Sequence, residues 1–387
     1  MKRDAMNATP LRLAQYTAGA LAAARPGWLE GALGAVWYGG GAPPPGLAGA
    51  DLPLLRVATP PLGEDPVVCE VWHGSNAAWG AMAQPATGRH GVVHFRVDAA
   101  LGPMFGSVTL READFAGASG ATLQLATERA YRDIFGLLDA QGYPYLVRVW
   151  NYVADINAEE SGMERYRQFN IGRQDAFTAC HREIVGNVPA ACALGTVGQA
   201  VAQRTLSIGF LASPRAPVAV ENPRQVSAYR YPAQYGPRSP TFARAGLWEA
   251  STQPVMQPVM QPSTQAMEQD ERAAPVLFVS GTASIVGHRT VHVGNVAAQT
   301  RESIANIAAV LEQGARDGHP GLGLPELAYR VYVRHPQECG TLASVRAELE
   351  KAVGPGMPIA YVQADICRDD LLVEIEASAG HGLEVFA

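Results

Sequence analysis

The chain has 387 residues, a formal net charge of -6 and a pI near 5.9. Its length exceeds the usual size of one domain, so two domains are expected. No basic stripe stands out, which argues against a nucleic-acid partner. No stretch reaches the roughly 20 apolar residues needed to cross a bilayer, and Arg12 and Gln15 interrupt the N-terminal apolar runs, so we predict a cytoplasmic protein without a membrane partner.

The cysteines and histidines argue against a metal site. The cysteines are odd in number, scattered and without a CxxC pair: Cys69, Cys180, Cys192, Cys339 and Cys367. His288 and His292 are four residues apart, but the surrounding GHRTVHVGN has the composition of a turn or strand. We therefore predict that most of the cysteines are reduced and buried, and that the chain has no metal ligands.

The first half of the chain predicts strands around one long helix. Up to about residue 91 the sequence is rich in Pro and Gly, which favours short strands and loops. MFGSVTL then has strand composition, ATERAYRDIFGLLDAQG has a helical pattern that ends in Gly142, and YLVRVWNYV is a strand. This order indicates a sheet covered by helices.

A low-complexity segment, STQPVMQPVMQPSTQAMEQDER, follows over residues 251–272. PVMQ occurs twice in tandem, and proline every few residues prevents both a helix and a strand ladder. We predict an exposed linker here, with a tolerated loop expansion favoured over a partner-binding tail.

The second half repeats the pattern of the first. VLFVSGTASIV has strand composition, QTRESIANIAAVLEQGARDG is a helical pattern, and AYRVYVRHP is a strand. Both helix patterns contain Thr–charge–charge, at Thr127 and Thr300, and both strands carry Arg-Val-aromatic, at Arg148 and Arg330. We therefore predict a duplicated α+β unit, divided into an N-terminal domain over 1–250, the linker over 251–272 and a C-terminal domain over 273–387.

Two stretches carry candidate chemistry. In AYVQADICRDDLLVEIEASAG, a strand sets Glu374 between Val373 and Ile375, and burial favours the neutral form of a carboxyl, so Glu374 is a candidate proton donor. Glu376 has the same side-chain parity and is its rival, and a purely structural Glu374 is also open. The Arg/Tyr-rich RQVSAYRYPAQYGPRSPTFARA is a candidate clamp for a small planar anion.

The second half resembles the Rid-type (YjgF-like) family over about residues 275–380. The resemblance rests on LFVSGTASI, the QTRESIANI helix, the YRVYVRHP strand and VEIEA, in that order. It implies a β-sheet packed by two helices, usually in a trimer, with ligand sites between neighbouring units. The family's imine deaminases carry a substrate-binding arginine upstream of the acidic strand, and Ile359 holds that place here, which opposes deaminase chemistry.

Nearly the whole chain resembles the chorismatase family, whose members remove pyruvate from chorismate. The resemblance rests on RVWNYVADIN, GMERYRQFNIGRQDAF, RQVSAYRYPAQYGPRSPTFARA, FVSGTAS and ICRDDLLVEIEA, in the family's order. It implies an α+β fold class made of two related Rid-like units packed together. A duplicated chain supplies internally the contacts that a trimer makes between subunits, so we expect a monomer.

The resemblance also implies a substrate and a site. Chorismate carries two carboxylates, which bidentate arginines bind well. Cleavage needs a proton on the enolpyruvyl methylene carbon, which Glu374 would donate without a metal or organic cofactor. The candidate substrate-binding residues, with a structural role as the alternative for each arginine and tyrosine, are Arg148, Arg165, Tyr166, Tyr229, Arg230, Tyr235, Arg238, Gly281, Ala283, Arg330 and Arg334.

Cys367 is the second candidate catalytic residue, and the resemblance gives it a role in product choice. In the family, a cysteine just before the acidic strand accompanies release of 3-hydroxybenzoate, whereas a smaller residue accompanies hydrolysis to a dihydroxycyclohexadiene carboxylate. Without the resemblance, Cys367 indicates core packing. One branch also makes 4-hydroxybenzoate for pigment and quinone pathways. A non-catalytic metabolite-binding protein of Rid type is the alternative from a different class.

Overall fold

Three large β-sheets build the described part of the protein. They follow one another along the chain, except that the last strand returns to the first sheet. The structure, a computed structural model, describes residues 9, 11–74, 85–98, 102–249, 275–319 and 321–387. Within these ranges, no helix has the length and apolar character needed to cross a membrane.

The first unit has four strands and two very short helices. Its elements are β1 (Leu11–Thr17), α1 (Ala18–Ala22), β2 (Ala32–Tyr38), α2 (Pro45–Ala48), β3 (Leu54–Val57) and β4 (Val67–Gly74). The strand order is β1-β4-β2-β3, in which β2 and β3 run parallel and the other pairs are antiparallel.

The second unit has a six-stranded sheet and two long helices. Its elements are β5 (Ala86–His90), β6 (Val93–Val97), β7 (Met104–Arg111), α3 (Thr122–Gln141), β8 (Tyr145–Ala154), β9 (Glu159–Glu160), β10 (Met163–Glu164), α4 (Arg165–Ala179), β11 (Ala190–Thr196) and β12 (Thr205–Ser213). The large sheet has the order β5-β6-β7-β12-β8-β11. In α3, Ala130, Ile134 and Leu138 are buried at helical spacing, and Gly142 ends the helix in the left-handed region with φ 71°.

The third unit has a second six-stranded sheet with two helices. Its elements are β13 (Val218–Val220), β14 (Ala245–Trp248), β15 (Val276–Ala283), β16 (Ile285–Val286), β17 (Arg289–Thr290), α5 (Val296–Arg316), β18 (Ala328–Val333), α6 (Thr341–Val353), β19 (Ile359–Gln363) and β20 (Val373–Ala379). The sheet order is β13-β14-β15-β20-β18-β19. The side chain of Asn295 caps α5 by accepting a hydrogen bond from the Ala298 amide at 3.0 Å, so the helix begins before the predicted Gln299.

The second and third units match strand for strand. If the two-residue strands β9, β10, β16 and β17 are set aside, the order along each unit is three strands, a helix, a strand, a helix and two strands. The parallel pair of the six-stranded sheet is β8–β11 in one unit and β18–β19 in the other. The predicted α+β class with a duplicated unit is therefore confirmed. The first unit repeats four strands at one end of this pattern, since its order β1-β4-β2-β3 corresponds to β7-β12-β8-β11 and β15-β20-β18-β19. Its helices α1 and α2 have only 5 and 4 residues. The sequence-based prediction missed this third, reduced copy.

The three sheets share one central core. It contains Trp72 from the first sheet, Phe105 and Trp150 from the second, and Phe278 and Tyr332 from the third, all at most 2% exposed. The helices α3 and α4 cover the other face of the second sheet, and α5 and α6 that of the third. The last strand, β21 (Gly382–Phe386), pairs with β1 and joins the end of the chain to the first sheet.

The predicted linker over 251–272 lies outside the described residues. The strands before and after it, β14 and β15, are antiparallel neighbours in which Trp248 pairs with Val276. The segment therefore connects adjacent ends of two strands of one sheet. The division into domains at residues 250 and 273 stays a prediction, and the third sheet contains strands from both sides of that segment.

Candidate active site

A cavity of about 640 Å³ lies between the second and third units. Tyr166, at the start of α4, lines it from the second unit. The third unit contributes the bulged region of β15, the strand β20 and the loop before β20. Six of the predicted site residues line this cavity: Tyr166, Tyr235, Gly281, Ala283, Cys367 and Glu374.

Glu374 is a buried carboxylic acid at the wall of the cavity. It lies on β20 opposite Ala283 of β15 and Tyr332 of β18, and it is 4% exposed. Its Oε1 occupies the space that a Cβ at position 281 would need, so Gly281 allows the carboxyl to approach β15 closely. Burial raises the pKa of Glu374 to about 8, with a further increase from the Glu376 charge that Arg148 and Arg244 partly offset. The group is therefore mostly protonated at neutral pH.

Glu376, the predicted rival, has the opposite electrostatic environment. Its carboxylate forms ion pairs with Arg148 at 2.9 Å and with Arg330 at 3.1 Å, and it accepts a hydrogen bond from Trp150 Nε1 at 3.2 Å. Burial acts to raise the pKa of Glu376, but the two guanidinium groups outweigh it and hold the pKa below its usual value. Two carboxyls on one strand therefore differ in protonation, which favours Glu374 as the acid.

Arg244 gives the cavity a cation from the predicted Arg/Tyr-rich clamp segment, although it was not among the candidate substrate-binding residues. The side chain is 5% exposed, and its Nη2 donates to the Val226 carbonyl at 2.7 Å and to the Tyr231 hydroxyl at 2.9 Å. Its Nε is buried without a hydrogen-bond partner in the described chain. Within the described ranges, no carboxylate oxygen lies within 4.0 Å of this guanidinium.

Arg368 is the second such cation. Its Nη1 donates to the His288 carbonyl at 3.0 Å, and its guanidinium lies 4.2 Å from the centre of the Tyr235 ring. Its Nη2 is buried and, among the described residues, has no hydrogen-bond partner and no carboxylate within 4.0 Å. Tyr231 lies beside both guanidinium groups, 5.7 Å from Arg244 and 5.3 Å from Arg368. The cavity thus has two guanidinium groups with free donors, as a dianion requires.

Cys367 lines the same cavity as a neutral thiol. Burial raises its pKa to about 12, with a further increase from Glu374 that outweighs the opposite effect of Arg368. A thiolate is therefore disfavoured at neutral pH, and the thiol gives the cavity wall a small apolar group with a weak S–H donor. Tyr166 is partly buried, and the loss of solvation raises the pKa of its hydroxyl and keeps it protonated.

Four predicted arginines are buried in structural contacts away from the cavity lining. Arg148 and Arg330 both pair with Glu376, and Arg330 also pairs with Glu70 of β4. Arg165 pairs with Glu112 at 2.5 Å. Arg334 binds backbone carbonyls of the loop that carries Cys367 and Arg368, namely those of Ile366, Arg368 and Leu371, at 2.7–2.9 Å. None of the four lines this cavity, and their expected role in substrate binding stays a prediction.

Three further predicted residues, Tyr229, Arg230 and Arg238, lie outside the cavity lining. Arg230 is exposed, and its guanidinium lies 5.9 Å from the Tyr229 ring. Arg238 is half exposed and pairs with Asp175 at 3.3 Å.

Arg244 and Arg368, which the list of candidate residues did not include, occur inside the motifs TFARA and ICRDD that carried the resemblance. Their position next to candidate residues was therefore a usable signal.

Comparisons with known proteins agree with this architecture. Residues 77–212 match the family described as Chorismatase FkbO/Hyg5-like, N-terminal. The chain is 39% identical to a 3-hydroxybenzoate synthase of Streptomyces hygroscopicus over 65% of this chain and 68% of that protein. It is 38% identical to a chorismatase of Streptomyces rapamycinicus over 66% and 70% of the two chains.

A solved structure also resembles the whole chain. A chorismatase crystal structure matches with a TM-score of 0.75 and 29% identity, and the match covers 96% of this chain and 98% of the other. Both full units and the reduced first unit therefore lie within the matched length. On the shared sequence and architecture, this chain belongs to the chorismatase family.

Proposed function

We propose that the protein cleaves the enolpyruvyl ether of chorismate to pyruvate and 3-hydroxybenzoate. The observation that carries the proposal is a buried, protonated Glu374 in a cavity with two guanidinium groups that lack carboxylate partners. Relatives that share 38–39% identity bear the names 3-hydroxybenzoate synthase and chorismatase, which supports the same substrate.

The cations of the cavity suit the two carboxylates of chorismate. In this proposal Arg244 and Arg368 each bind one carboxylate through donors that have no partner in the described residues. The ring of Tyr231 lies beside both guanidinium groups and provides a flat apolar surface for the substrate. A dianion bound in this way neutralises both buried charges, which disfavours substrates with only one acid group.

Glu374 performs the chemical step. Its proton goes to the methylene carbon of the enolpyruvyl group, which becomes an oxocarbenium ion, and the resulting Glu374 carboxylate stabilises that cation. To form 3-hydroxybenzoate, the bond between ring C3 and the ether oxygen breaks, this oxygen leaves as the carbonyl of pyruvate, the C4 hydroxyl oxygen moves to C3, and the ring loses a proton that restores the acid. In the hydrolytic alternative, water adds to the oxocarbenium carbon, and the bond between that carbon and the ring oxygen breaks. Formation of 3-hydroxybenzoate and pyruvate conserves all atoms of chorismate, whereas hydrolysis to the dihydroxycyclohexadiene carboxylate consumes one water.

Cys367 controls which of these products forms. Because burial holds its pKa near 12, we assign it no nucleophilic role but a steric one, in which the thiol fills the pocket beside Glu374 and excludes water. 3-Hydroxybenzoate is then the main product, and 4-hydroxybenzoate is a minor one. We propose a monomer, since three related units already meet within one chain.

The test is to mix the purified protein with chorismate, measure pyruvate and separate the aromatic products by chromatography. Equimolar pyruvate and 3-hydroxybenzoate support the proposal. Pyruvate with the dihydroxycyclohexadiene carboxylate indicates the hydrolytic alternative, and binding of chorismate without pyruvate indicates a binding protein. Light scattering of the same preparation tests the monomer.

A further inference from the structure

Glu376 is the centre of a buried charge network that connects the three sheets. It lies two residues after Glu374 on β20, so both side chains are on one face of the strand. Arg148 of the second sheet and Arg330 of the third hold it by ion pairs at 2.9 and 3.1 Å. Both arginines are at most 6% exposed.

The network continues to the first sheet and is balanced in charge. Arg330 also pairs with Glu70 of β4, which accepts hydrogen bonds from Tyr38 Oη and Gln15 Nε2, both at 3.0 Å. Two carboxylates thus face two guanidinium groups in a water-poor interior. Such a set is stable only when every charge has its partner, so the charge on Glu376 is fixed.

The groups that face Glu374 leave Glu376 as its principal negative neighbour. From the surrounding elements, the titratable and charged groups close to it are Tyr166 of α4, Cys192 of β11, Arg148 of β8, Arg244 before β14, Tyr332 of β18 and Cys367 before β20. The four hydroxyl and thiol groups in this set all have a pKa above the ordinary value because they are buried, so they are neutral. Arg148 and Arg244 favour ionisation of Glu374, and Glu376 opposes it.

We propose that Glu376 is a positioning residue whose fixed negative charge holds the proton on Glu374. The packing of the three sheets then also serves the site, because it keeps Glu376 ionised, and the charge of Glu376 keeps Glu374 protonated. The inference rests on the role proposed above for Glu374 in chorismate cleavage. Glu376 itself does not touch the cavity.

The charges predict opposite effects for two substitutions. Glu376→Gln keeps the shape but removes the negative charge about 7 Å away along the strand, so Glu374 should lose its proton about 1–2 pH units lower. Arg148→Gln removes a positive charge and leaves Glu376 less compensated, so Glu374 should lose its proton at higher pH. If Glu376 had only a structural role, both substitutions would lower stability, but they would not shift the pKa of Glu374 in opposite directions.

The experiment is an infrared titration of the carboxyl C=O band without substrate. The band of Glu374 is obtained by subtracting the spectrum of the same protein carrying Glu374→Gln, in the parent and in each variant. Glu112→Gln is the matched control, because Glu112 is also a buried carboxylate paired with a buried arginine, Arg165. Relative to the parent, we expect the pH midpoint of the Glu374 titration to be lower in Glu376→Gln, higher in Arg148→Gln and unchanged in Glu112→Gln.

An unchanged midpoint in Glu376→Gln, or a shift of the same sign in both network variants, would overturn the inference. If Glu376→Gln yields no folded protein, the titration of Arg148→Gln is the remaining test. A midpoint of Glu374 that is unchanged or lowered in Arg148→Gln then overturns the inference. The titration needs no turnover, so it is independent of the proposed reaction. A parent protein that releases no pyruvate from chorismate refutes the proposed function, whatever the titration shows.

Discussion

Glu374→Gln should make the protein progressively more stable than the parent as the pH rises. In the folded parent, burial raises the pKa of Glu374 from 4.5 to about 8. Between these two values the folded chain keeps a proton that the unfolded chain has released, so the stability of the parent falls with rising pH. The glutamine side chain does not titrate, so the variant does not lose stability in this way as the pH rises.

The size of the effect follows from the pKa difference. At about 1.4 kcal/mol per pKa unit, the advantage of the variant should grow to about 5 kcal/mol between pH 4.5 and 8, and then stay constant. Urea unfolding of both proteins at a series of pH values from 5 to 9 measures the difference in free energy of unfolding. Arg132→Gln, which removes an exposed pair with Glu128 on α3, is the control and should show a difference independent of pH.

A difference between Glu374→Gln and the parent that stays constant from pH 5 to 9 would refute the reasoning. It would mean that Glu374 is ionised in the folded protein at neutral pH. The same variant should lose chorismate turnover by about 10² to 10⁴, because the amide cannot donate the proton. Loss of turnover together with a pH-independent difference would indicate a structural Glu374.

Three further predictions concern the cations, the product and the linker. Arg244→Gln and Arg368→Gln should each raise KM for chorismate about 10- to 100-fold with a smaller change in kcat, whereas Arg132→Gln should keep the KM of the parent. Cys367→Ala should retain pyruvate release but raise the dihydroxycyclohexadiene carboxylate at the expense of 3-hydroxybenzoate in chromatography, and an unaltered ratio would remove the thiol from product choice. Replacing Gln253–Gln269 by a short Gly/Ser turn should preserve turnover, because the flanking strands are adjacent in one sheet, and a large loss of folded or active protein would contradict this.

The repeated unit could be predicted from the sequence only where its helices are long. The helices α3 and α5 have 20 and 21 residues, so their apolar spacing and the strands that follow them are visible in the sequence. In the first unit α1 and α2 have 5 and 4 residues, which is too short for a periodic pattern. The third copy is recognisable only from the strand order of its sheet.

The acid could be predicted, but most of the cations could not. Glu374 and Cys367 lie in one short motif, so the sequence alone places them close together. Whether an arginine is free for an anion depends on carboxylates distant in sequence, as Arg330 shows by pairing with Glu70 of another sheet. Arg244 and Arg368 lack such a partner among the described residues. Their motifs place them near candidate residues, but the sequence does not show that they lack a carboxylate partner.

The most direct test of the central claim is pyruvate formation from chorismate by the parent and by Glu374→Gln, assayed side by side at neutral pH. We predict steady release of pyruvate, equimolar with 3-hydroxybenzoate, by the parent, and a rate lower by at least about 10² for the folded variant. Equal rates for the two proteins, or no pyruvate from the parent, would contradict the assignment of acid-catalysed chorismate cleavage to this cavity.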